Sequence, residues 1–277
     1  MIDYHVHPDF SQDATGSIRD FCARASEVGL EEICFTTHYE PDPERAQYEC
    51  VYVAGSRRAV DSDWAEVYLA QIESCRREFP RLTVLAGVEA GYEPGLDGMI
   101  GDFLGKYAFD FVLGAVHCLD HVAITSGQEL ERYKAEYLPH GGEHAATRYF
   151  QYVRSAAGSG LFDCLAHLDV YRKYIQPLHG QSFRTTAESL LEPTLEFIAR
   201  SRTGLEVNSS ALRRGADQPY PAEAILRSAR DAGVCSFTTG SDAHRPDDLA
   251  GGLGEVECIL SRLGVEPARF RNRERVS

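Results

Sequence analysis

The chain begins Met1-Ile2-Asp3-Tyr4-His5-Val6-His7, which puts two imidazoles one residue apart at the end of a short apolar run. Side chains alternate along a strand, so His5 and His7 point to one face and can share an ion. Such a pair alone is more often a polar doublet at a strand end, and its meaning depends on what accompanies it. Six of the ten histidines, His5, His7, His38, His117, His167 and His244, fall where a strand-like run is about to become a loop. Glu89 and Asp242 hold equivalent places, and Asp242-Ala243-His244 repeats the spacing of the first pair. Imidazole and carboxylate donors without thiolate suit zinc, manganese or iron(II), whereas magnesium prefers more oxygen.

Elements able to bring these residues together are visible in the hydrophobic pattern. Strand-length runs at 2–6, 32–37, 83–88, 110–116, 162–166, 203–208 and 235–240 alternate with helical stretches at 17–28, 64–79, 96–107, 130–157, 182–201, 221–232 and 246–263. Repeated strand-helix units predict parallel strands with right-handed crossovers, and seven of them predict a closed or nearly closed α/β barrel. Chemistry in such barrels collects at the carboxyl ends of the strands. Here the seven runs end at His5 and His7, His38, Glu89, His117, His167, Asn208, and Asp242 with His244, so every strand delivers a polar group to one rim. Residues 39–62 form the one long irregular region and are expected to pass over the barrel mouth. No linker or repeat divides the chain, which reads as a single domain over 1–277.

Composition narrows the function classes. With 42 acidic against 28 basic residues the net charge is −14, which argues against nonspecific adhesion to nucleic acid or an anionic membrane. An anionic substrate would then need a local positive site, which divalent metals would supply. The N-terminus lacks the pattern of a secretory signal and no run approaches the ~20 apolar residues of a membrane span, so a cytoplasmic protein is expected. Eight cysteines lack any C-x-x-C spacing, and most sit inside apolar runs where they read as reduced core residues. Nothing in the sequence speaks to oligomeric state.

Taken in order, Asp3-Tyr4-His5-Val6-His7 with Ser11 and Asp13, Thr37-His38, Gly87-Val88-Glu89, Gly114-Ala115-Val116-His117, Ala166-His167-Leu168-Asp169 with Arg172-Lys173-Tyr174, Glu206-Val207-Asn208 with Leu212-Arg213, and Gly240-Ser241-Asp242-Ala243-His244 resemble the PHP family, named for polymerase and histidinol phosphatase, and within it the histidinol-phosphate phosphatases. The resemblance implies a distorted (βα)7, TIM-like barrel holding up to three divalent ions. It places the first on His5, His7, Glu89 and Asp242, the second on Glu89, His117 and His167, and the third on Asp13, His38 and His244. Glu89, His117 and Asp242 would then lie at the reacting centre. Many relatives carry histidine where this chain has Asp13, but aspartate is a sound oxygen ligand.

Such a centre would bear an excess of positive charge and select a small phosphate monoester, with L-histidinol phosphate in histidine biosynthesis as the leading substrate. Arg172 and Arg213 each follow a strand end by five residues and are the expected phosphate clamps, with Arg214 able to replace Arg213. Asp169 is expected to orient its loop, and the acidic, aromatic-rich stretch Glu89-Ala90-Gly91-Tyr92-Glu93 to border the pocket and meet a substrate amine. His121, His140, His144 and His179 read as non-ligands. Three other readings remain open at this point: a phosphoesterase for another small ester such as a nucleotide or sugar phosphate, an amidohydrolase-like barrel, and a metal-stabilised accessory domain of a larger assembly.

Overall fold

The computed structural model describes residues 1–276. Seven parallel strands lie side by side in chain order: β1 (Ile2–Val6), β2 (Glu32–Tyr39), β3 (Thr83–Gly91), β4 (Phe111–Ala115), β5 (Cys164–Leu165), β6 (Gly204–Asn208) and β7 (Phe237–Gly240). The seam between β7 and β1 is drawn together just beyond β7, where Asp242 N donates to His5 O and His7 N donates to Ala243 O, both at 2.8 Å. Lower down, Thr239 Oγ1 donates to Ile2 O at 2.8 Å. The sheet is thereby nearly closed, as the repeating pattern predicts.

Seven main helices cover its outside: α1 (Ile18–Val28), α2 (Trp64–Glu78), α3 (Asp97–Lys106), α4 (Gly142–Gly158), α5 (Gln181–Ser201), α6 (Glu223–Asp231) and α7 (Leu253–Arg262). The first shows how local chemistry sets their limits. Ser17 and Asp20 form a reciprocal capping box, Gly29 ends the helix at φ 75°, and Ile18, Phe21, Cys22 and Ala25 make the buried stripe at helical spacing.

Two predicted helices are interrupted. The 130–157 stretch breaks into Leu130–Glu136, a 3₁₀ turn at Leu138–His140 and α4, because Pro139 and the positive-φ Gly141 stop propagation. Likewise 246–263 begins as a 3₁₀ turn, and α7 starts only after Gly252 at φ 82°. The irregular 39–62 region carries a small hairpin, Val51–Val53 with Ser56–Arg58, tied to the first loop by a bridge between Ser11 and Val51.

The interior is layered. At the base, Ile2, Tyr4, Leu85, Phe111 and Leu113 pack with Ala268 and Phe270, which the C-terminal hairpin Arg269–Arg271 and Glu274–Val276 brings beneath the strands. Each fully buried large apolar side chain contributes about 1.5–3 kcal/mol. Tyr4 Oη donates to Glu32 at 2.7 Å and Arg271 pairs with Glu32 at 2.9 Å, closing that end. A second core fills the space between strands and helices. The buried polar layer lies at the opposite mouth, where the strands deliver His5, Glu89, His167, Glu206 and Asn208.

Candidate metal centre

Glu89, at the carboxyl end of β3, sits between two groups of histidines. Its Oε2 lies 3.3 Å from His5 Nε2 and 3.5 Å from His7 Nε2, and Asp242 Oδ1 completes this group at 3.7 and 3.4 Å from the same two nitrogens. Its Oε1 lies 3.3 Å from His117 Nε2 and 3.1 Å from His167 Nε2, and those two ring nitrogens face each other at 3.4 Å. Donors around one ion with bonds of 2.0–2.1 Å lie about 3 to 3.5 Å apart, so both groups are spaced to hold one.

His5 Nε2, His7 Nε2 and Glu89 Oε2 are buried without a hydrogen-bond partner. Unpaired buried polar atoms are costly, and three of them aimed at one point are the signature of donors kept for a cation. Further out, Asp13 Oδ2 lies 3.4 Å from His244 Nε2 and Asp13 Oδ1 lies 3.8 Å from His38 Nε2. The rings of His38 and His244 both stack on His7, at centroid distances of 4.1 and 4.2 Å, and lie 5.7 Å from each other. Asp13 is 59% exposed, making this the outermost group.

The far nitrogens of three of the rings are held in turn. Glu206 Oε1 lies 2.6 Å from His5 Nδ1, Glu40 Oε1 lies 2.6 Å from His117 Nδ1, and Ser11 Oγ lies 3.3 Å from His7 Nδ1. A carboxylate on Nδ1 fixes the tautomer that leaves Nε2 free to ligate. Two donors also sit on uncommon backbone: His167 has φ 30° and Asp242 φ 54°. The first is pinned by Glu206 Oε2, which accepts from His167 N at 2.9 Å.

Electrostatics follow from this crowding. Burial disfavours charge on His5, but Glu206, Glu89 and Asp242 outweigh it and raise the imidazole well above its usual range. His117 is raised in the same way against burial by Glu89 and Glu40, and His38 is pushed up to about 9, again against burial, by Glu89. Conversely, the histidines hold Glu89 and Asp242 well below the carboxylate range despite their burial, His5 first among them. His7 goes the other way, lowered by burial and by His38 and His244.

Over the donors lies a cleft of about 110 Å³ lined by Asp13, His38, Glu89, His117, His167, Asp242 and His244 together with Lys173 and Arg214. The nine donor residues named from sequence are thus brought to one mouth. The two arginines expected as clamps are not in this cleft. Arg172 is drawn onto the fully buried Asp169 at 2.6 Å, donates to Pro219 O and stacks over Tyr220. Arg213 turns inward to the backbone, donating to Ser241 O at 2.7 Å and Asp242 O at 3.2 Å. Their sequence neighbours take the cleft: Lys173 Nζ donates to Thr125 O at 3.0 Å, and Arg214 Nη2 to Ser210 Oγ at 3.1 Å. Along a helical turn, consecutive side chains point about 100° apart, so a one-residue difference separates structural from cleft-facing cations.

Beside the cleft opens a larger chamber of about 550 Å³, whose walls include His38, His117, Glu40, Arg45, Glu49, Glu129, Tyr48 and Thr125. Arg45 is already matched there, 2.6 Å from both Glu49 and Glu129. Glu93 does not face either space: its carboxylate accepts the backbone N–H of His121 at 3.2 Å, while His121 Nδ1 pairs with Asp42 at 2.7 Å. His179 bonds Tyr133 at 2.8 Å, and His140 and His144 pack on Tyr137, all away from the centre. Glu206 and Lys173 stand inside motifs quoted from sequence but are given no role there, and Glu40 is not named. Glu206 alone left a signal, the alternation of Glu206 and Asn208 on one face of a buried strand.

Residues 3–210 match the PHP domain family. A protein of Deinococcus radiodurans named "Probable histidinol-phosphatase" is 28% identical over 288 aligned residues, covering 99% of this chain and 98% of its own. The histidinol-phosphatase of Lactococcus lactis subsp. lactis is 26% identical, covering 88% of this chain and 84% of its own. The crystal structure of histidinol phosphate phosphatase from that bacterium, complexed with zinc, L-histidinol and phosphate, aligns over 100% of this chain and 98% of that one with a TM-score of 0.80 and 21% identity. The two share the fold.

Proposed function

This chain belongs to the PHP domain family, and we infer that it is a metal-dependent phosphomonoesterase that hydrolyses L-histidinol phosphate to L-histidinol and phosphate, a step of histidine biosynthesis. The full-length likeness to histidinol-phosphatases supports the substrate. The observation that carries the chemistry is Glu89, with a carboxylate oxygen in each of two donor groups spaced for ions. His5, His7, Glu89 and Asp242 would hold the first ion, Glu89, His117 and His167 the second, and Asp13, His38 and His244 the third. Zinc, manganese and iron(II) all suit these donors. Divalent ions bound there would supply a water of lowered pKa and Lewis acidity toward phosphoryl oxygens.

The protein's own groups do the rest. Lys173 and Arg214 face the cleft, placed to meet the nonbridging oxygens of the transferring phosphoryl group. Asp242 Oδ1 lies 3.7 Å from His5 Nε2 and 3.4 Å from His7 Nε2, placed to serve as a ligand beside them. Glu40 keeps His117 aimed by its contact with Nδ1. The leaving alcohol points into the adjoining chamber, where Glu40, Glu49 and Glu129 outnumber Arg45 and favour a cationic group. An amino alcohol bearing an imidazole satisfies that preference, whereas a nucleotide adds negative charge to acidic walls.

Asp242 and His244 lie beyond residue 210 yet complete the donor groups, so we treat 1–277 as one catalytic unit. No helix among the described residues is long and apolar enough to cross a membrane. All eight cysteines are free, which fits a reducing compartment, and we place the enzyme in the cytoplasm. The charge of −14 disfavours a nucleic-acid partner.

The test is turnover of L-histidinol phosphate against glycerol phosphate, p-nitrophenyl phosphate and nucleoside monophosphates, with metal analysis of protein purified without chelator. Preference for L-histidinol phosphate by about ten-fold or more in kcat/KM is expected. A comparable preference for another ester displaces the substrate assignment. His117→Asn should abolish turnover with the fold retained, and full activity in that variant would remove the centre from the mechanism.

A further inference from the structure

Glu206 lies at the junction of two donor groups and belongs to neither. Its side chain is 1% exposed. One oxygen, Oε1, meets His5 Nδ1 at 2.6 Å. The other, Oε2, accepts from His167 N at 2.9 Å and from Asn208 Nδ2 at 3.2 Å. His5, on β1, belongs to the first group around Glu89, and His167, just past the end of β5, to the second; β1 and β5 flank β6 and β7. The seat for this carboxylate is made by Gly240 of β7: a Cβ there would overlap both Glu206 Oε1 and His5 Cβ. Glu40, by contrast, reaches His117 alone among the donor rings.

Resting on the metal-dependent reading above, we propose that Glu206 is a positioning residue that ties the first and second ion positions into one unit, so that losing its carboxylate weakens both together. At His5 it fixes the tautomer that frees Nε2. At His167 it holds the N–H of a residue at φ 30°, a conformation that non-glycine residues adopt only when their surroundings impose it. A glutamine in this place keeps the shape but offers one oxygen and one NH₂. Whichever way it turns, either His5 Nδ1–H or the His167 amide meets a donor instead of an acceptor.

The experiment compares full-length wild type, Glu206→Gln and Glu40→Gln. Each is loaded with Co(II) or Zn(II) and dialysed against chelators of graded strength, and bound metal is counted by elemental analysis and by Co(II) d–d absorption. Glu206→Gln should lose both ions of the Glu89 pair in one step, at a free-metal concentration about 10- to 100-fold higher than wild type. Glu40→Gln should release one ion early and keep its partner. The melting temperature of the stripped proteins is read alongside, because a general loss of stability would lower it without producing this contrast in stoichiometry. If Glu206→Gln releases a single ion, or retains both to the wild-type midpoint, the proposal is overturned. Should that variant not fold, Glu206→Asp, which keeps the charge and withdraws it by one methylene, carries the same expectation, and wild-type retention of both ions there is equally decisive. Failure of wild type itself to bind metal would instead overturn the metal-dependent reading.

Discussion

Arg213 grips the backbone of Asp242: its guanidinium donates to the carbonyls of Ser241 at 2.7 Å and Asp242 at 3.2 Å, one strand end away from the short helix Ser210–Arg213 that carries it. Asp242 sits at φ 54°, a conformation with a local cost of about 1–3 kcal/mol that neighbours must hold in place. Arg213→Ala is therefore expected to lower metal affinity by about ten-fold or more, as loss of a group supporting a ligand does. It should leave the KM of the remaining loaded enzyme close to wild type. Isothermal titration with metal and steady-state kinetics at saturating metal separate the two. A large rise in KM with intact metal affinity would return Arg213 to the role of phosphate clamp.

Lys173 and Arg214 line the cleft, whereas Arg172 is committed to Asp169. Lys173→Met and Arg214→Met should each reduce kcat/KM by about 10²–10³, the usual effect of deleting a donor that stabilises developing charge. Arg172→Met should leave kcat/KM per folded molecule near wild type but destabilise the protein by about 3 kcal/mol, because it strands the buried Asp169 carboxylate. Denaturant unfolding with activity measurements checks both halves. If Arg172→Met loses activity while stability holds, the assignment of the clamps is reversed.

Stability of the metal-free protein should depend on pH in a way the loaded protein does not share. His5 and His117 are raised well above the ordinary histidine range, and His38 is raised to about 9, in each case by surrounding carboxylates acting against burial. A folded pKa above the unfolded value of about 6.5 means stability that is fully present below pH ~6.5 and lost as pH rises through the folded value. The stripped protein should thus melt at progressively lower temperature between pH 7 and 9. Metal requires these rings neutral, so loading should release protons and flatten the dependence. Scanning calorimetry of stripped and loaded samples across that window tests this, and parallel curves would count against it.

The outermost ion position should be the first to empty. Asp13 is 59% exposed, and His38 and His244 are about a fifth to a quarter exposed, while His5, His7 and Glu89 are buried. Asp13→Ala should remove one equivalent of metal, leaving the pair around Glu89 bound through dialysis. Elemental analysis before and after mild chelation reads this directly, and loss of all metal from Asp13→Ala would show that the groups do not fill separately.

Much of this protein follows from its sequence alone. The alternation of strand-like and helical periods implies a parallel barrel, and a parallel barrel obliges residues at the carboxyl ends of strands to share one mouth. That rule assembles His5, His7, His38, Glu89, His117, His167, Asp242 and His244 without knowledge of any contact between them; Asp13 came from family resemblance. What needed the tertiary structure was every pairing across the barrel and every choice between neighbours in a turn. Glu206 meets His5 from 201 positions away and Glu40 meets His117 from 77 away, separations over which no local periodicity carries information. Lys173 rather than Arg172, and Arg214 rather than Arg213, face the cleft because successive residues in a helical turn diverge by about 100°. Strand geometry sets side-chain direction within a few residues, whereas the partner each side chain finds is set by where distant segments come to rest.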